Sequence, residues 1–474
     1  MRILSVAAEI FPYVKVGGLG DVMAALPKAL QRLGVDARVM VPGYPELLDT
    51  LPGLKPVKAF DQLMNAGPGQ ILLGESEGGV PLYLLDLPGL FGDDGGPYGD
   101  WDRAHRRFAA LSWAAMDLAR FGENQGWSAD LLHAHDWPAG LAPAYLALTE
   151  GPRVPTLMTI HNIAYQGNFS PSVLGEVWLP PEAYAVEGAE FMGRLSFLKA
   201  GLHYSDRLST VSPTYAYEIQ QPGGGRGLEG LLAMRNQDFS GILNGIDTDI
   251  WDPRTDPHLL VDFDRETLDR RILDTAALRM ELGLEENPVA PLFGVVSRME
   301  AIKGLDLVLP NLDHLVELGA QFALLGSGDP GLEKAFQIAA ERHPGRIAVR
   351  IGYNEGLAHR MYAGLDVLMV PSRSEPCGLT QMYAFRYGCL PLVRRTGGLA
   401  DTVIDAEDHD GNGFLFGPED PWDLGQAIDR ACAIYRGNQT WWREMQLRGM
   451  TLEHSWEVSA QRYTDLFASM LEHH

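Results

Sequence analysis

Short apolar runs alternate with longer segments of helical period along most of the chain. The opening run RILSVAA gives way to DVMAALPKALQRLG, where apolar residues recur at three and four, and DARVMVP follows as a second strand. The alternation returns as VPLYLLD, the long helical AHRRFAALSWAAMDLARFG, then ADLLHAH and PTLMTIHN. DRLSTVS precedes the helical PTYAYEI, and FSGILNG closes this first series. The stretch from IDTDIWDPRTDP to ENPVAP is rich in Asp and Pro, lacks strand signals and reads as a linker region. A second series then runs through APLFGVVS, AQFALLG, RIAVRIG, LDVLMVP and CLPLVRR, with helices between the strands. A last helical pattern, SWEVSAQRYTDLFASML, comes after that sheet is complete. Strand followed by helix, repeated, specifies a parallel sheet covered on both faces. The pattern therefore predicts an α/β protein of two doubly wound domains, with ligands at the carboxyl ends of strands facing an interdomain cleft.

A chain of 474 residues is too long for one core, which agrees with two domains. The formal net charge of −24 argues against nucleic acid or an anionic membrane surface as a partner. An acidic protein with an anionic substrate must concentrate its positive charge locally, which directs attention to Lys15. Three cysteines, Cys377, Cys389 and Cys432, are too few for a disulfide framework and fit a reducing, cytoplasmic setting. No run reaches the ~20 apolar residues of a membrane span. Glu9 interrupts the stretch a secretory signal would keep apolar, so the N-terminus reads as a mature strand, and the closing LEHH reads as the start of a purification tag.

Unusual residues gather at strand ends. PYVKVGGLGDV, residues 12–22, follows the first strand with three glycines between Lys15 and Asp21, more than a turn requires and suited to backbone that a ligand approaches closely. Arg298 and Lys303 follow FGVVS, at the expected start of a helix, where an anion is favoured. In SEPCGLTQMYAF, Pro376 suits a helix start and Gly378 permits close approach, so amides near residues 377 to 380 can cradle a phosphate or hydroxyls. Glu375 precedes that helix, as a capping carboxylate or a group aimed at the cleft. Cys377 has no base beside it in sequence and reads as packing rather than as a nucleophile. HAHDW places His133 and His135 on one strand face beside Asp136, but offers no third metal ligand at suitable spacing. Asp247 and Asp249 form a common Asp-x-Asp tripeptide, explained as well by surface polarity. GSGDPG, residues 326–331, is a literal Gly-x-Gly-x-x-Gly, yet the next strand lacks the acidic residue a dinucleotide-binding oxidoreductase needs for the ribose.

Taken together, KVGGLGDV, HAHDW, HNIAYQG, FLKAG, TVSPTYAYEI, GLEGLL, LNGID, SRMEAIKGLDL, PSRSEPCGLTQMYAFRYG and RRTGGLADTV resemble the bacterial glycogen synthases and the related plant starch synthases, in order and over nearly the whole length. The resemblance implies the GT-B arrangement of two facing Rossmann-like domains about a cleft. Residues 1–248 would form the acceptor side, joined by a C-terminal helix over 453–472, and residues 249–452 the donor side. It implies retaining transfer of glucose from ADP-glucose to the non-reducing end of an α-1,4-glucan such as glycogen, with neither metal nor pyridoxal phosphate as cofactor. Lys15 and the backbone at Gly17 and Gly18 would contact the donor's phosphates and sugar, with Asp21 beginning the next helix. Arg298 and Lys303 would neutralise the diphosphate, helped by the amides of Cys377, Gly378, Leu379 and Thr380, while Glu375 bonds glucose hydroxyls. Asp136, His161, Asn162 and Asn244 would line the sugar and acceptor site, the His161 carbonyl stabilising positive charge on the sugar. Tyr98 would contact the donor sugar and Tyr353 would stack near the adenine. Retention would proceed through Glu375 or by same-face attack assisted by the leaving phosphate.

The chain departs from the family pattern at Val16 (Thr is usual), Ile302 (Gln) and Ser374 (Phe), in a shorter loop after Tyr98, and in EHSW for DFSW. The competing readings are a glycan phosphorylase, for which no pyridoxal-phosphate lysine stands in a recognisable setting, an inactive or regulatory glucan-binding homologue, and a UDP-glucose-preferring enzyme.

Overall fold

The first apolar series folds into a single large sheet. In the computed structural model, which describes residues 1–92, 96–124 and 126–472, the strands of this half are β1 (Arg2–Val6), β2 (Asp36–Pro42), β3 (Lys55–Phe60), β4 (Gly69–Glu75), β5 (Pro81–Asp86), β6 (Leu131–His135), β7 (Thr156–Ile160), β8 (Asn168–Phe169), β9 (Glu190–Phe191), β10 (Arg194–Ser196), β11 (Arg207–Thr210) and β12 (Phe239–Gly241). Among the described residues the sheet has nine strands in the order β12-β11-β7-β6-β1-β2-β5-β4-β3, and β8, β10 and β9 form a small separate sheet. The strands from β12 to β5 pair in parallel, and all but the edge strand β12 are largely buried on both faces, as crossover helices require.

The pattern did not reveal β3 and β4, which add an antiparallel hairpin to the expected parallel sheet. As the edge strand, β3 carries two lysines and a proline and keeps no buried residue, so no apolar period marks it.

The second series gives β13 (Leu292–Val296), β14 (Gln321–Gly326), β15 (Ile347–Ile351), β16 (Val367–Val370), β17 (Leu390–Arg394) and β18 (Phe414–Phe416), ordered β15-β14-β13-β16-β17-β18 and parallel throughout. This order reverses at β13 and β16, as in a dinucleotide-binding sheet. At three residues, β18 is too short to show a period.

The chain divides into two compact units, Met1–Asn244 with Trp456–His474, and Gly245–Ser455. The first division thus falls four residues before the expected 248/249 boundary, because Ile246 bridges to Ser455 inside the second unit. The C-terminal helix spans Trp456–Glu472 rather than 453–472, and its Trp456, Tyr463, Phe467 and Met470 pack with Ile3, Val22 and Leu26 of the first unit. His473 and His474, within the presumed tag, lie outside the described residues.

The linker reading of the Asp- and Pro-rich stretch is corrected. It is folded into the second unit, and three of its acidic residues, Asp252, Asp256 and Asp274, are buried internal fasteners rather than solvated links. Asp256 Oδ2 receives Tyr387 Oη at 2.5 Å and meets His359 Nδ1 at 2.6 Å, and Asp274 Oδ1 accepts from Leu260 N at 2.8 Å. Trp251 is stacked between His359 and Tyr383, and the helix Arg271–Leu282 buries Leu278 and Leu282.

Candidate active site

In the first unit the expected residues stand on loops leaving β1, β6, β7 and β12, except Tyr98, which lies between β5 and the helix Trp101–Phe121. After β1 the chain runs through PYVKVG and enters the helix Gly18–Arg32 with Gly17 as its extended N-cap. A Cβ on Gly17 or Gly18 would meet nothing within 4 Å, so the backbone here is open to close approach. Asp21 lies in the first helical turn, and its Oδ1 holds Lys15 Nζ at 2.8 Å. The loop is anchored by Glu9, to which the sequence reading assigned no site role. Its buried carboxylate accepts from Val16 N at 2.7 Å and Gly17 N at 2.9 Å, and from Tyr98 Oη at 2.8 Å. Burial, reinforced by Glu9, pushes the Tyr98 phenol well above its usual range, so it remains a neutral hydrogen-bond donor. A charge placed in an otherwise apolar run, VAAEIF, was the sequence signal for Glu9.

At the end of β6, Asp136 opens a four-residue helix and adopts the left-handed φ of 56°, a strained conformation characteristic of functional positions. Its Oδ1 accepts from His161 N at 2.7 Å and Asn162 N at 3.4 Å, tying the ends of β6 and β7 together. Burial outweighs those hydrogen bonds and pushes the Asp136 carboxyl up to about 7. Asn162 Oδ1 caps its own turn by accepting from Ala164 N at 3.0 Å. After β12, Asn244 is buried and its Oδ1 meets no donor among the described residues, leaving an acceptor without a partner.

HAHDW does not converge as a metal centre. His133 Nε2 lies 2.6 Å from Thr159 Oγ1, and His135 Nδ1 lies 2.9 Å from His161 Nε2. Burial pushes His133 and His161 down to about 3 and His135 well below its usual value, so all three are neutral at pH 7. Among the described residues the grouping close enough to share an ion is the exposed Asp408, His409 and Asp410, which belongs to none of the motifs singled out above. Asp247 Oδ1 caps a local turn by accepting from Asp249 N at 2.9 Å.

In the second unit the residues stand after β13, β15 and β16. Lys303 and Arg298 do not begin an α-helix. The chain instead makes the 3-10 turn Ala301–Lys303, so the expected helix-start argument for an anion does not apply to this pair. Gly304 lets that turn sit against the next loop, since a Cβ there would come within 2.1 Å of Pro371 O. Arg373 N donates to Ile302 O at 2.8 Å and joins the two loops. The result brings Lys303 Nζ to 2.7 Å from Glu375 Oε2, which also receives Ser372 Oγ at 2.9 Å, in a largely covered setting. Arg394 Nε donates to Ser372 O at 2.8 Å and steadies the loop from below. Arg298 reaches out instead, 62% exposed and 2.8 Å from Glu300.

The helix expected from Pro376 starts later, at Thr380. Glu375 is therefore no helix cap, and residues 376–379 form an irregular loop. Gly378 has φ 72°, and its N–H and those of Leu379 and Thr380 find no acceptor among the described residues. Cys377 is buried, as expected for packing. Gly397 and Gly398 support the loop, because a Cβ on either would fall within 2.0 Å of Glu375 O or 1.9 Å of Cys377 O. Tyr353 stands beyond β15 with 86% of its surface exposed. The glycines of GSGDPG serve packing instead: a Cβ on Gly326 would come within 1.9 Å of Ser297 O, and one on Gly328 within 2.5 Å of Met299 O. Asp329 then caps the helix Pro330–Arg342.

Residues 2–234 match the family model described as starch synthase catalytic domain, and residues 281–439 that of glycosyl transferases group 1. The chain is 47% identical to glycogen synthase 1 of Rhizobium meliloti (strain 1021), covering 99% of both proteins. It is also 47% identical to the glycogen synthase of Roseobacter denitrificans, covering 99% of this chain and 100% of that one. A solved catalytic domain of starch synthase IV from Arabidopsis thaliana, bound to ADP and acarbose, is similar with a TM-score of 0.87 at 34% identity, covering 99% of each chain. Sucrose-phosphate synthase from Thermosynechococcus elongatus shares the fold, with a TM-score of 0.62 at 18% identity.

Proposed function

The chain belongs to the glycogen and starch synthase family of GT-B glycosyltransferases, and on that premise we propose that it transfers glucose from ADP-glucose to the non-reducing end of an α-1,4-glucan, releasing ADP with retention of configuration. The observation that carries this reading is the cluster of Lys303, Glu375 and Ser372 beside the unpaired amides of Gly378, Leu379 and Thr380. A cation and N–H donors fixed in a largely covered loop suit a diphosphate that gains negative charge as the anomeric C–O bond breaks. Glu375, held by Lys303 and Ser372, keeps acceptor capacity for glucose hydroxyls. Arg298 and Lys15 add charge from more exposed side chains, and Tyr353 offers an exposed ring for the adenine.

On the first unit, Asp136, His161, Asn162 and Asn244 would receive the sugar and acceptor, with Tyr98 on the donor sugar and the Gly17–Gly18 backbone approaching its phosphates. As the anomeric bond breaks, positive charge develops on the sugar, and the His161 carbonyl and the Asp136 carboxylate can stabilise it. The lysines and arginine supply the positive charge a metal would otherwise bring, so the proposed reaction uses neither metal nor pyridoxal phosphate. The three cysteines form no disulfide with one another and are buried, in keeping with a cytoplasmic setting. No helix among the described residues is long and apolar enough to cross a membrane.

A donor panel with ADP-glucose and UDP-glucose, assayed with and without glycogen, tests the proposal. Glucan-dependent release of ADP is expected. Release of UDP in preference, or no transfer from either donor, would overturn it.

A further inference from the structure

Beneath the loops of the first unit lies a row of buried polar side chains that the proposed reaction does not use. His133 and Ser5 sit opposite each other on β6 and β1, while His135, Thr159 and Ser209 continue one step along β6, β7 and β11. Thr159 Oγ1 lies 2.6 Å from both His133 Nε2 and Ser209 Oγ. The His133 ring packs against His135, tilted by 40° with 3.9 Å between centroids, and contacts Tyr463 and Phe467 of the C-terminal helix. This packing fixes His135, whose Nδ1 stands 2.9 Å from His161 Nε2.

Two neutral imidazoles that share one hydrogen bond have two possible proton arrangements, since each ring carries one N–H and one lone pair. If His161 donates from Nε2, His135 must carry its own proton on Nε2. That atom is buried and has no acceptor among the described residues. If His135 donates from Nδ1, what remains unpaired at its Nε2 is a lone pair instead. Buried N–H groups left without an acceptor are rare, because their desolvation is uncompensated. His161 then holds its proton on Nδ1, an atom that makes no hydrogen bond within the described residues.

We infer that His135 is a positioning residue that fixes His161 as the Nδ1-protonated tautomer, so that His161 offers the sugar a hydrogen-bond donor. The ligand group matched to it is an oxygen lone pair, from a hydroxyl or ring oxygen of the glucosyl unit. This rests on the reading that His161 lines the sugar site. It gives the second histidine of HAHDW a role other than metal binding.

The side-chain 15N signals of histidine-labelled full-length protein report which ring nitrogen is protonated, with the His161 signals assigned by their loss in His161→Gln. Protonation at Nδ1 and a bare Nε2 are expected. His135→Asn keeps an N–H donor at the Nδ1 position, whereas His135→Leu removes it. Loss of the partner that orients a metal-bound histidine costs roughly 10–100-fold, and the same scale is expected for a histidine oriented toward a sugar. The Leu variant should lose that much kcat with little change in donor KM and show mixed His161 tautomers, and the Asn variant should recover most of both. His161 protonated at Nε2 in the unmodified protein would overturn the inference, as would an Asn variant with no more than about a hundredth of the unmodified kcat. Should the Leu variant fail to fold, the tautomer of the unmodified protein and the Asn variant still decide. The tautomer is read without substrate, so failure of transfer with every donor would instead strike the functional reading.

Discussion

Glu9 offers the sharpest test of how the glycine-rich loop is held. Its carboxylate receives Val16 N, Gly17 N and Tyr98 Oη at 2.7, 2.9 and 2.8 Å. A hydrogen bond to a charged group contributes roughly 1.5–3 kcal/mol net, so three bonds set an upper bound of about 9 kcal/mol. Two effects reduce this. Val16 is exposed and Gly17 partly so, and their amides rehydrate when the carboxylate is removed. Removal also relieves the cost of keeping a charge 4% exposed. Glu9→Ala should therefore destabilise by about 2–4 kcal/mol, once rehydration and the relieved desolvation are both counted. Glu9→Gln keeps an oxygen for the two amides and lets its NH2 group donate to the Tyr98 oxygen, so about 1 kcal/mol should be lost. Urea titration measures the first quantity. Kinetics measure the second: with the loop released, Lys15 loses its placement, and the donor KM in Glu9→Ala should rise on the order of tenfold, about 1.4 kcal/mol. If Glu9→Ala lies within about 0.5 kcal/mol of the unmodified protein and binds donor equally well, the carboxylate does not organise the loop.

Four further outcomes are expected. Glu375→Ala should lose on the order of 10²–10⁴ in kcat while remaining folded by circular dichroism, since contacts at the reacting sugar and diphosphate contribute several kcal/mol. Exhaustive chelation should leave the rate of glucose transfer unchanged, and a loss restored by Mn²⁺ or Mg²⁺ would refute charge supplied by Lys303, Arg298 and Lys15. Asp136 binds its proton more tightly folded than unfolded, so its contribution to stability should fall as pH rises from about 4 to about 7. Asp136→Asn should flatten that part of the stability-versus-pH curve, measured by denaturation at each pH. Gly398→Ala places a Cβ 1.9 Å from Cys377 O; it should displace the loop and lower both the melting temperature and the affinity for ADP, by calorimetry.

The order of strands and helices was legible along the chain because most strands here are buried on both faces and therefore read as continuous apolar runs. The edge hairpin of β3 and β4 was not, since a half-exposed strand carrying Lys55, Pro56 and Lys58 has no such pattern. The Asp- and Pro-rich stretch misled for a related reason. An aspartate looks the same in sequence whether water or a buried partner satisfies it, and only the fold brings His359 and Tyr387 to Asp256 across more than a hundred residues. The candidate chemistry divides in the same way. Residue type and position at strand ends were sufficient to single out Lys15, Arg298, Lys303, Glu375 and Gly378. The tertiary structure alone decided that Lys303 pairs with Glu375, that Arg298 reaches outward to Glu300, that Glu9 holds the glycine loop, and that His135 meets His161. Strand identity follows from local periodicity, which the sequence carries directly. Which polar groups meet follows from desolvation and the requirement for partners, and those partners are chosen only when distant segments pack.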